Sequence, residues 1–538
     1  MKTKLLAFYV ALTMTAYTGS LSAESTLIDI GSHKQLFIDF SLIESCKNIE
    51  LTMNPPVKRG KVLPADKLWE NYRMGSYGEV FEDDGLYRMW YESSYKQSDP
   101  AGSDPKTGSV TCYAESSDGL NWIKPVLGTH EFSGSSANNI VFDFVHHGAV
   151  FKDPSAPPSQ RYKTAIYRYD HEMVYNDAAF SPDGLRDWTV VESRMNYLTD
   201  SQNMAFFDDQ LGKYVFYFRG WTHNLMRTVV RFEADDFLAP WPVKKPTEQS
   251  LYKHDVRYPA ISNEAPVVMK TDGRDPDPTD YYNPSVVKYP EAPDVYLAFP
   301  SMFFHFPDPP MGMELTEDDF IFSPGLKPPY THIPRHYDAP ATPEMQRRGV
   351  ETRNSGFLDI RLLTSHDGKV WNRDFRSAYV SLGTEDEPDA ASMYMFVGMI
   401  IRDGKIYQYY TGNRSWHGGR LEHDGEIMLL EQRLDGFVSA DAAYEGGEMV
   451  TKPFVFDGTE LHLNINTSAI GSAAVGILDG DGNVIEGYDI TDCDVIRGNY
   501  IDRTVKWHDE SDISALSGKT VRLRIMMRDS KLFSLRFK

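Results

Sequence analysis

Acidic side chains stand shortly before several apolar, aromatic-rich segments of the sequence. A carboxyl group among aromatic rings is desolvated, which raises its pKa and suits a general acid. A carboxylate beside arginine is held in its charged form, which suits a base or a nucleophile. Two carboxyl groups that face one bond could therefore divide acid and base chemistry between them. The candidates are Glu70, Asp200, Asp280 and Glu351.

Two of these candidates have distinct polar or aromatic neighbours. Glu70 lies close to Trp69 and Tyr72, and it is either a desolvated acid or a surface charge at a strand edge. Asp200 opens a polar run that includes Gln202 and Asn203 just before a very apolar segment. That placement favours a functional carboxylate over a plain turn cap.

The other candidates are more ambiguous. Asp280 precedes two tyrosines but follows an acidic loop, so a solvated charge is an equal alternative. Glu351 lies among three arginines, which suits either a base or a surface ion pair. His147 stands before another apolar segment and could donate a proton or bind a sugar hydroxyl, or else be a structural histidine.

Further residues near these positions could hold a ligand. Aromatic side chains stack on sugar rings, and arginine forks match carboxylate or sulfate groups. The predicted binding residues are Tyr72, Tyr77, Gln202, Asn203, Arg219, Trp221 and Arg227.

These candidates must be positioned by strands, because the chain repeats one hairpin pattern five times. In the first copy, Val80 and Phe81 lead to the turn Asp83–Gly85, and an aromatic strand returns. The five lead strands begin at Val80, Val150, Ala205, Val286 and Met399.

A second pattern follows three of the hairpins. It reads Ser-x-Asp-Gly and then Trp, with the acidic residues Asp118, Asp183 and Asp367. Aspartate and serine side chains bond turn N–H groups, and glycine accepts a positive φ, so this pattern predicts a structural turn.

Five hairpins that each continue into two more strands predict an all-β chain with a five-bladed β-propeller. From residue 439 the alternation becomes strict and predicts a C-terminal β-sandwich. The predicted division is a signal peptide (1–23), an N-terminal extended segment packing on the propeller (24–64), the propeller (65–438, with an insert at 303–356) and the sandwich (439–538).

Composition narrows the classes of partner. The formal net charge is −22, which argues against nucleic acid and anionic membranes as partners. The first residues have two lysines, an apolar run and small residues near Ala23, so they predict a secreted or periplasmic protein. No nucleotide or metal motif occurs, and the three cysteines are widely spaced, so no cofactor and no metal are predicted.

With its five hairpins, Ser-Asp-Gly-Trp turns, leader and terminal sandwich, the chain resembles the five-bladed propeller glycoside hydrolases of families 32 and 43. The resemblance covers roughly residues 65 to 438, together with the sandwich that family 32 carries. It implies a hydrolase that cleaves glycosidic bonds in an oligo- or polysaccharide with two carboxylates at the channel mouth.

The sequence departs from the family at the lead strands, where an Asp-Pro pair is the family's pattern. The equivalent positions hold Tyr77-Gly78, His147-Gly148, Gln202-Asn203 and Asn283-Pro284, and Asp153-Pro154 falls in a hairpin turn. No catalytic residue is therefore carried over. A non-catalytic carbohydrate-binding propeller and a lyase or esterase using His147 and Tyr77 stay open as alternatives.

Overall fold

The structure is a computed structural model, and the predicted leader and most of the predicted insert lie outside the part of the chain that it describes. The described residues are 27–97, 106–143, 148–170, 173–195, 199–221, 226–242, 266–276, 279–305, 320–321, 333–334, 356–417, 421 and 423–538. Within them the fold is all-β, with strands joined by turns and short 3-10 segments.

Five strands lie in the N-terminal region. They are β1 (Ile28–Gly31), β2 (Gln35–Leu36), β3 (Ile43–Lys47), β4 (Glu50–Met53) and β5 (Val57–Leu63).

Three four-stranded antiparallel sheets follow in chain order, and we number them sheets 1, 2 and 3. Sheet 1 contains β6 (Arg73–Asp83), β7 (Leu86–Gln97), β8 (Lys106–Ser116) and β9 (Ile140–Phe142). Sheet 2 contains β10 (Phe151–Lys152), β11 (Tyr162–Asp170), β12 (Met173–Ser181) and β13 (Thr189–Met195). Sheet 3 contains β14 (Met204–Asp208), β15 (Lys213–Trp221), β16 (Arg227–Ala234) and β17 (Val267–Met269).

The next part of the chain forms eight short strands. They are β18 (Thr279–Tyr281), β19 (Val286–Lys288), β20 (Tyr296–Ala298), β21 (Ser301–His305), β22 (Phe320–Ile321), β23 (Ile333–Pro334), β24 (Gly356–Ile360) and β25 (Leu363–Ser365). Strands β19, β20 and β25 form sheet 4, and β22 pairs with β23.

Sheet 5 has eight strands and includes the fifth hairpin. Its new members are β26 (Ser392–Met395), β27 (Ile400–Arg402), β28 (Lys405–Asn413) and β29 (Glu426–Arg433). Its order is β18-β21-β24-β26-β28-β29-β5, with β27 also paired to β28. The N-terminal strand β5 thus lies at the outer edge of the sheet that contains the last hairpin.

Eight C-terminal strands, together with β1 to β4, build two six-stranded sheets around one apolar core. They are β30 (Val438–Ala442), β31 (Gly447–Thr451), β32 (Phe454–Phe456), β33 (Leu461–Asn466), β34 (Ser472–Asp479), β35 (Asn499–Thr504), β36 (Val521–Arg528) and β37 (Ser530–Phe537). Rings of Phe456 and Phe537, from different sheets, stack with centroids 3.8 Å apart.

The N-terminal residues differ from the prediction. They were expected to pack on the propeller as one extended segment, but β1 and β3 join one C-terminal sheet, and β2 and β4 join the other. Residues 28–53 therefore complete the C-terminal sheets, and only β5 pairs with a hairpin sheet.

All five predicted hairpins are present as antiparallel pairs. The first and fifth hairpins have tight turns because both central residues have a positive φ. The values are 54° at Asp84 and 84° at Gly85 in the first hairpin, and 52° at Asp403 and 72° at Gly404 in the fifth. Such turns match the twist of the flanking strands.

The beginnings of the five hairpins converge on one cavity of about 340 Å³. Its lining comes from residues 79–82, 149–152, 204–206, 286–288 and 397–398. Each of the five lead segments therefore reaches a common centre.

The three Ser-x-Asp-Gly turns connect neighbouring sheets. In each, the serine hydroxyl accepts a hydrogen bond from the glycine N–H at 2.9 to 3.0 Å. The glycine carbonyl then accepts from an aromatic side chain of the preceding sheet: Gly184 from Trp90 at 3.0 Å and Gly368 from Tyr217 at 2.8 Å, with Gly119 bonded likewise to Tyr409 of sheet 5. The structural role predicted for these turns is confirmed.

Candidate active site

Tyr282 lies at the centre of a polar and aromatic cluster to which sheets 3 and 5 contribute. The tyrosine follows β18 and is half-buried. The guanidinium carbons of Arg219 and Arg227 lie 4.4 and 4.9 Å from its ring centroid. His417 and Tyr394 approach it edge-on at 4.8 and 5.4 Å. Two cation–π contacts and two T-shaped aromatic contacts hold Tyr282 in place.

Arg219 links Tyr282 to Asp200, one of the predicted catalytic carboxylates. Its Nη1 donates to Asp200 Oδ2 at 3.0 Å, and Nε and Nη2 donate to the Tyr282 carbonyl at 3.2 and 2.8 Å. The arginine side chain is fully enclosed, whereas 44% of the Asp200 side chain is exposed. Burial alone would lower the pKa of Arg219, but Asp200 and Tyr282 raise it, so the guanidinium stays charged.

The backbone at Asp200 is unusual, with a φ of 30°. A non-glycine residue in this region is strained, and such strain often accompanies a functional position. The polar run that follows holds the loop: Asn203 Oδ1 accepts from the Arg219 N–H at 3.0 Å. Gln202 Nε2 donates to Glu79 at 3.0 Å in sheet 1.

Gln202 and Asn203 were predicted to bind substrate, and the structure corrects that role. Both are almost completely buried. Their amide groups bond protein groups on sheets 1 and 3, so they position the Asp200 loop.

Arg227 pairs inside the protein with Asp280, another of the predicted catalytic carboxylates. Asp280 is fully buried. Its Oδ2 accepts from Arg227 N at 3.0 Å and Nη1 at 3.2 Å, and His305 Nε2 lies 3.2 Å away. Burial would raise the pKa of Asp280, but Arg227 and His305 hold it well below its usual range. Asp280 is therefore an enclosed counter-ion of Arg227, which corrects its predicted catalytic role.

His417 is a member of the cluster that the sequence did not predict. Its Nδ1 lies 2.9 Å from the Tyr394 hydroxyl, and its backbone bonds Gly356 in both directions. The side chain is half-buried. Burial, and then the positive charges of Arg227, Arg73 and Arg219, lower its pKa well below 6.5, so the imidazole is neutral at neutral pH.

Arg73 adds a third guanidinium. It is half-buried, and its Nε and Nη2 both donate to the amide oxygen of Asn413, at 3.1 and 2.9 Å. Among the described residues no carboxylate pairs with it.

Tyr77 lies beside the cluster but not at its surface. It is buried, with its ring 6.4 Å from that of Tyr394. Burial first, and then Tyr282, Asp200 and Glu92, raise its pKa well above 10. The structure corrects its predicted roles as a stacking surface and as a base, because the ring is enclosed and the hydroxyl keeps its proton.

Glu70 belongs to a different buried network. Its carboxylate accepts from Lys124 Nζ and the Tyr91 hydroxyl at 2.7 Å each, and from the N–H groups of Asp66 and Lys67 at 2.9 and 3.1 Å. The side chain is fully enclosed. Four donors thus make Glu70 a structural anchor, which corrects its predicted role as an acid.

Of the remaining predicted residues, Tyr72 alone lies with its side chain in the described part of the chain. His147 and Glu351 lie outside the described residues, as does the side chain of Trp221. Tyr72 is half-buried, and its carbonyl accepts from His423 N at 2.7 Å.

Sequence reasoning missed Arg73, Tyr282, Tyr394 and His417 as site residues. It considered acidic residues that precede lead strands. In antiparallel hairpins the end of the return strand lies beside the start of the lead strand. Polar residues after return strands, such as His417 after β28, are the signal that would have found this part of the site.

No group of three or more His, Cys, Asp or Glu side chains in the described ranges is placed to hold a metal ion. No helix of the described chain is long and apolar enough to cross a membrane.

Comparison with known proteins gives similarity at the level of solved structures. No protein-family model matches the sequence, and no curated protein matches it. The similar structures are glycoside hydrolases. They include a Bombyx mori family-32 β-fructofuranosidase (11% identity, 90% of this chain and 95% of that chain, TM-score 0.38). Another is a Bacteroides ovatus glycosyl hydrolase (12% identity, 75% of this chain and 93% of that chain, TM-score 0.37). A third is a thermostable family-43 glycoside hydrolase (9% identity, 72% of this chain and 95% of that chain, TM-score 0.36).

These enzymes are of the same class as the families that the sequence resembles.

Proposed function

We propose that the chain is a glycoside hydrolase that cleaves bonds in an oligo- or polysaccharide, with Asp200 as its ionised carboxylate. The observation that carries the proposal is the Asp200–Arg219 pair, in which an enclosed arginine holds a 44% exposed carboxylate on a residue whose backbone φ is 30°. A carboxylate paired in this way suits a base that activates water or a nucleophile that attacks the anomeric carbon.

We also infer the architecture that presents this carboxylate. Sheets 1 to 5 are the blades of a five-bladed propeller, with β5 as the outer strand of the last blade, and the two C-terminal sheets are a β-sandwich. The support for this is the common cavity of the five lead segments and the bonds from each turn to the preceding sheet.

Hydrolysis also needs a carboxyl group that protonates the leaving oxygen. Asp280 is enclosed and Glu70 lies in another network, so neither supplies it. Glu351, which the sequence predicts as catalytic, lies outside the described residues and stays a prediction.

A second candidate function is elimination at a uronic acid, and the neutral His417 favours it. His417 Nε2 would take the C5 proton while the C4–O bond breaks, the C4–C5 double bond forms and the leaving oxygen takes a proton. The Tyr282 hydroxyl, which bonds no described residue, is a donor for that last step. A neutral imidazole near guanidinium groups suits such a base because those groups stabilise the carbanion formed next to the carboxylate.

A substrate screen separates the two candidates. The full chain is incubated with neutral and acidic polysaccharides and with aryl glycosides, and new reducing ends and ultraviolet absorbance are measured. Reducing ends without absorbance identify hydrolysis. Reducing ends with the absorbance of an unsaturated sugar identify elimination and contradict the hydrolase. Sugar binding without cleavage would leave the chain a carbohydrate-binding protein.

A further inference from the structure

Among the described residues, the cluster around Tyr282 contains one arginine, Arg73, that forms no ion pair. Asp200 pairs with Arg219, and Asp280 pairs with Arg227. Arg73 instead donates through two nitrogens to the neutral amide of Asn413.

Nearby acidic groups have other partners or positions. The Asp424 carboxylate accepts from the N–H groups of Arg414 and Ser415 and from the Ser415 hydroxyl. Glu92 is buried on β7, and its charge acts on Tyr77. Neither carboxylate forms an ion pair with Arg73.

The positive charge of Arg73 acts on His417, a half-buried member of the cluster. It contributes to lowering the pKa of the half-buried His417, together with Arg227 and Arg219. The protein as a whole carries −22, so this positive field is local to the site.

We propose that this site takes a saccharide bearing a carboxylate, a uronic acid residue of a glycan, and that Arg73 binds the carboxylate. The proposal rests on the proposed function only in taking the ligand to be a saccharide. Asn413 fixes the orientation of the planar guanidinium by accepting from Nε and Nη2. Nη1 bonds no described residue, so the edge formed by Nη1 and Nη2 remains to match a carboxylate. The Tyr282 side chain is half-buried, and its hydroxyl, which bonds no described residue, is a hydrogen-bonding group for a sugar oxygen.

Binding of matched acidic and neutral sugars tests the proposal. The probes are short oligosaccharides of galacturonic acid and of glucuronic acid, the methyl esters of the same oligosaccharides, and a sulfated oligosaccharide. Isothermal titration calorimetry on the full chain measures affinity, and chromatography of the recovered sugar records cleavage. One of the free acids is expected to bind roughly ten times more tightly than its ester, because a charge-assisted hydrogen bond is replaced by a neutral one.

Variants assign the effect to Arg73. Arg73→Gln should abolish the preference for acid over ester, and Arg73→Lys should retain part of it because the charge stays and the fork is lost. Arg274→Gln, at a 62% exposed position paired with Asp374, is the control and should leave the preference unchanged.

The outcomes separate this inference from the hydrolase proposal. Equal binding of acid and ester, a preference that survives Arg73→Gln, or preference for the sulfated probe over both uronates would overturn the inference. Tight binding of an acid without cleavage would count against the hydrolase and support the inference. Hydrolysis of a neutral glycan without any preference for acids would support the hydrolase and overturn the inference.

Discussion

Arg219 and Asp200 form a 3.0 Å ion pair whose two ends lie in different surroundings. The guanidinium is fully enclosed and also donates twice to the Tyr282 carbonyl, whereas the carboxylate is 44% exposed. An enclosed cation with three fixed hydrogen bonds cannot follow a moving partner, so it holds the exposed carboxylate at one position. Such preorganisation is what a catalytic carboxylate requires.

Replacement of this carboxylate should remove activity and leave the fold. Asp200→Asn keeps the size of the side chain but removes the charge that acts as base or nucleophile. We expect kcat on the substrate found by the screen to fall roughly a hundred- to ten-thousand-fold. The thermal midpoint should fall, because the enclosed Arg219 keeps its charge beside a neutral amide, so circular dichroism must first show that the variant is folded.

Asp235→Asn is the matched control for that experiment. Asp235 is 87% exposed and pairs loosely with Lys213 at 3.5 Å, in the same sheet-3 region. It should keep wild-type kcat. Full turnover by Asp200→Asn, or an equal loss in both variants, would remove Asp200 from the catalytic site.

The local elements of the fold could be predicted from the sequence because their signals are local. Asp84-Gly85 and Asp403-Gly404 determine tight turns wherever they stand in a chain. The Ser-x-Asp-Gly turns likewise close through bonds between residues two or three apart, such as Asp118 Oδ1 to the N–H of Leu120 at 2.8 Å.

The long-range pairings could not be predicted in the same way. Strand β5 pairs with β29, and β3 with β31, across several hundred residues. Alternation shows that such a strand has a buried face, but it does not say which edge the strand joins.

The site was predicted in part for a related reason. Asp200 was identified because it precedes a lead strand, and Arg219 and Arg227 because arginine forks match carboxylate or sulfate groups. Glu70 has the same sequence signal, yet Lys124, more than fifty residues away, makes it a buried ion pair. A partner so distant in the chain leaves no pattern around the carboxylate itself.

Pairing of β5 with the last hairpin sheet should contribute to stability. Leu63 at the end of β5 is 1% exposed and belongs to the apolar core that contains Val80 and Ile427. Leu63→Ala should lower the free energy of unfolding by about 2–5 kcal/mol, measured by urea titration, because it removes buried contacts and leaves a cavity.

Val57 at the other end of β5 is the control. It is 53% exposed, so Val57→Ala should change the free energy of unfolding by less than about 0.5 kcal/mol. Similar small effects of both substitutions would show that β5 is not packed as the structure describes.

Contact between a turn and the preceding sheet can be tested at Gly184. Its φ is 78°, and an added Cβ would lie 2.9 Å from Tyr162 and 3.1 Å from Trp90. Gly212 also has a positive φ, of 63°, but a Cβ there would meet nothing within 4 Å. Alanine at either position costs roughly 1–2 kcal/mol for the left-handed backbone.

Gly184→Ala should therefore be the more destabilising by a further ~1–3 kcal/mol, because the rings must move. Chemical denaturation of the two variants measures the difference. Equal losses would mean that Gly184 is required only for its backbone conformation and that the turn does not press on sheet 1.

Carboxylates between neighbouring sheets should make the fold sensitive to acid. Asp153 accepts from Lys163 at 2.7 Å and from Tyr214 of sheet 3 at 2.5 Å. Burial alone would raise its pKa, but these bonds and one from Ser155 lower it from 3.8 to about 2. Because the folded pKa lies below the unfolded one, the stabilisation is complete above pH 4 and is lost as pH falls toward 2.

For Asp153 this stabilisation amounts to about 2 kcal/mol. Thermal midpoints measured from pH 5 to pH 2 should fall more steeply for the wild type than for Asp153→Asn, which has no proton to gain at this position. The variant will be less stable near pH 7, because Lys163 keeps its buried charge without a carboxylate partner. Only the slope is therefore diagnostic. Parallel slopes for the two proteins would show that the acid response arises at other carboxylates and that Asp153 has an ordinary pKa in the folded state.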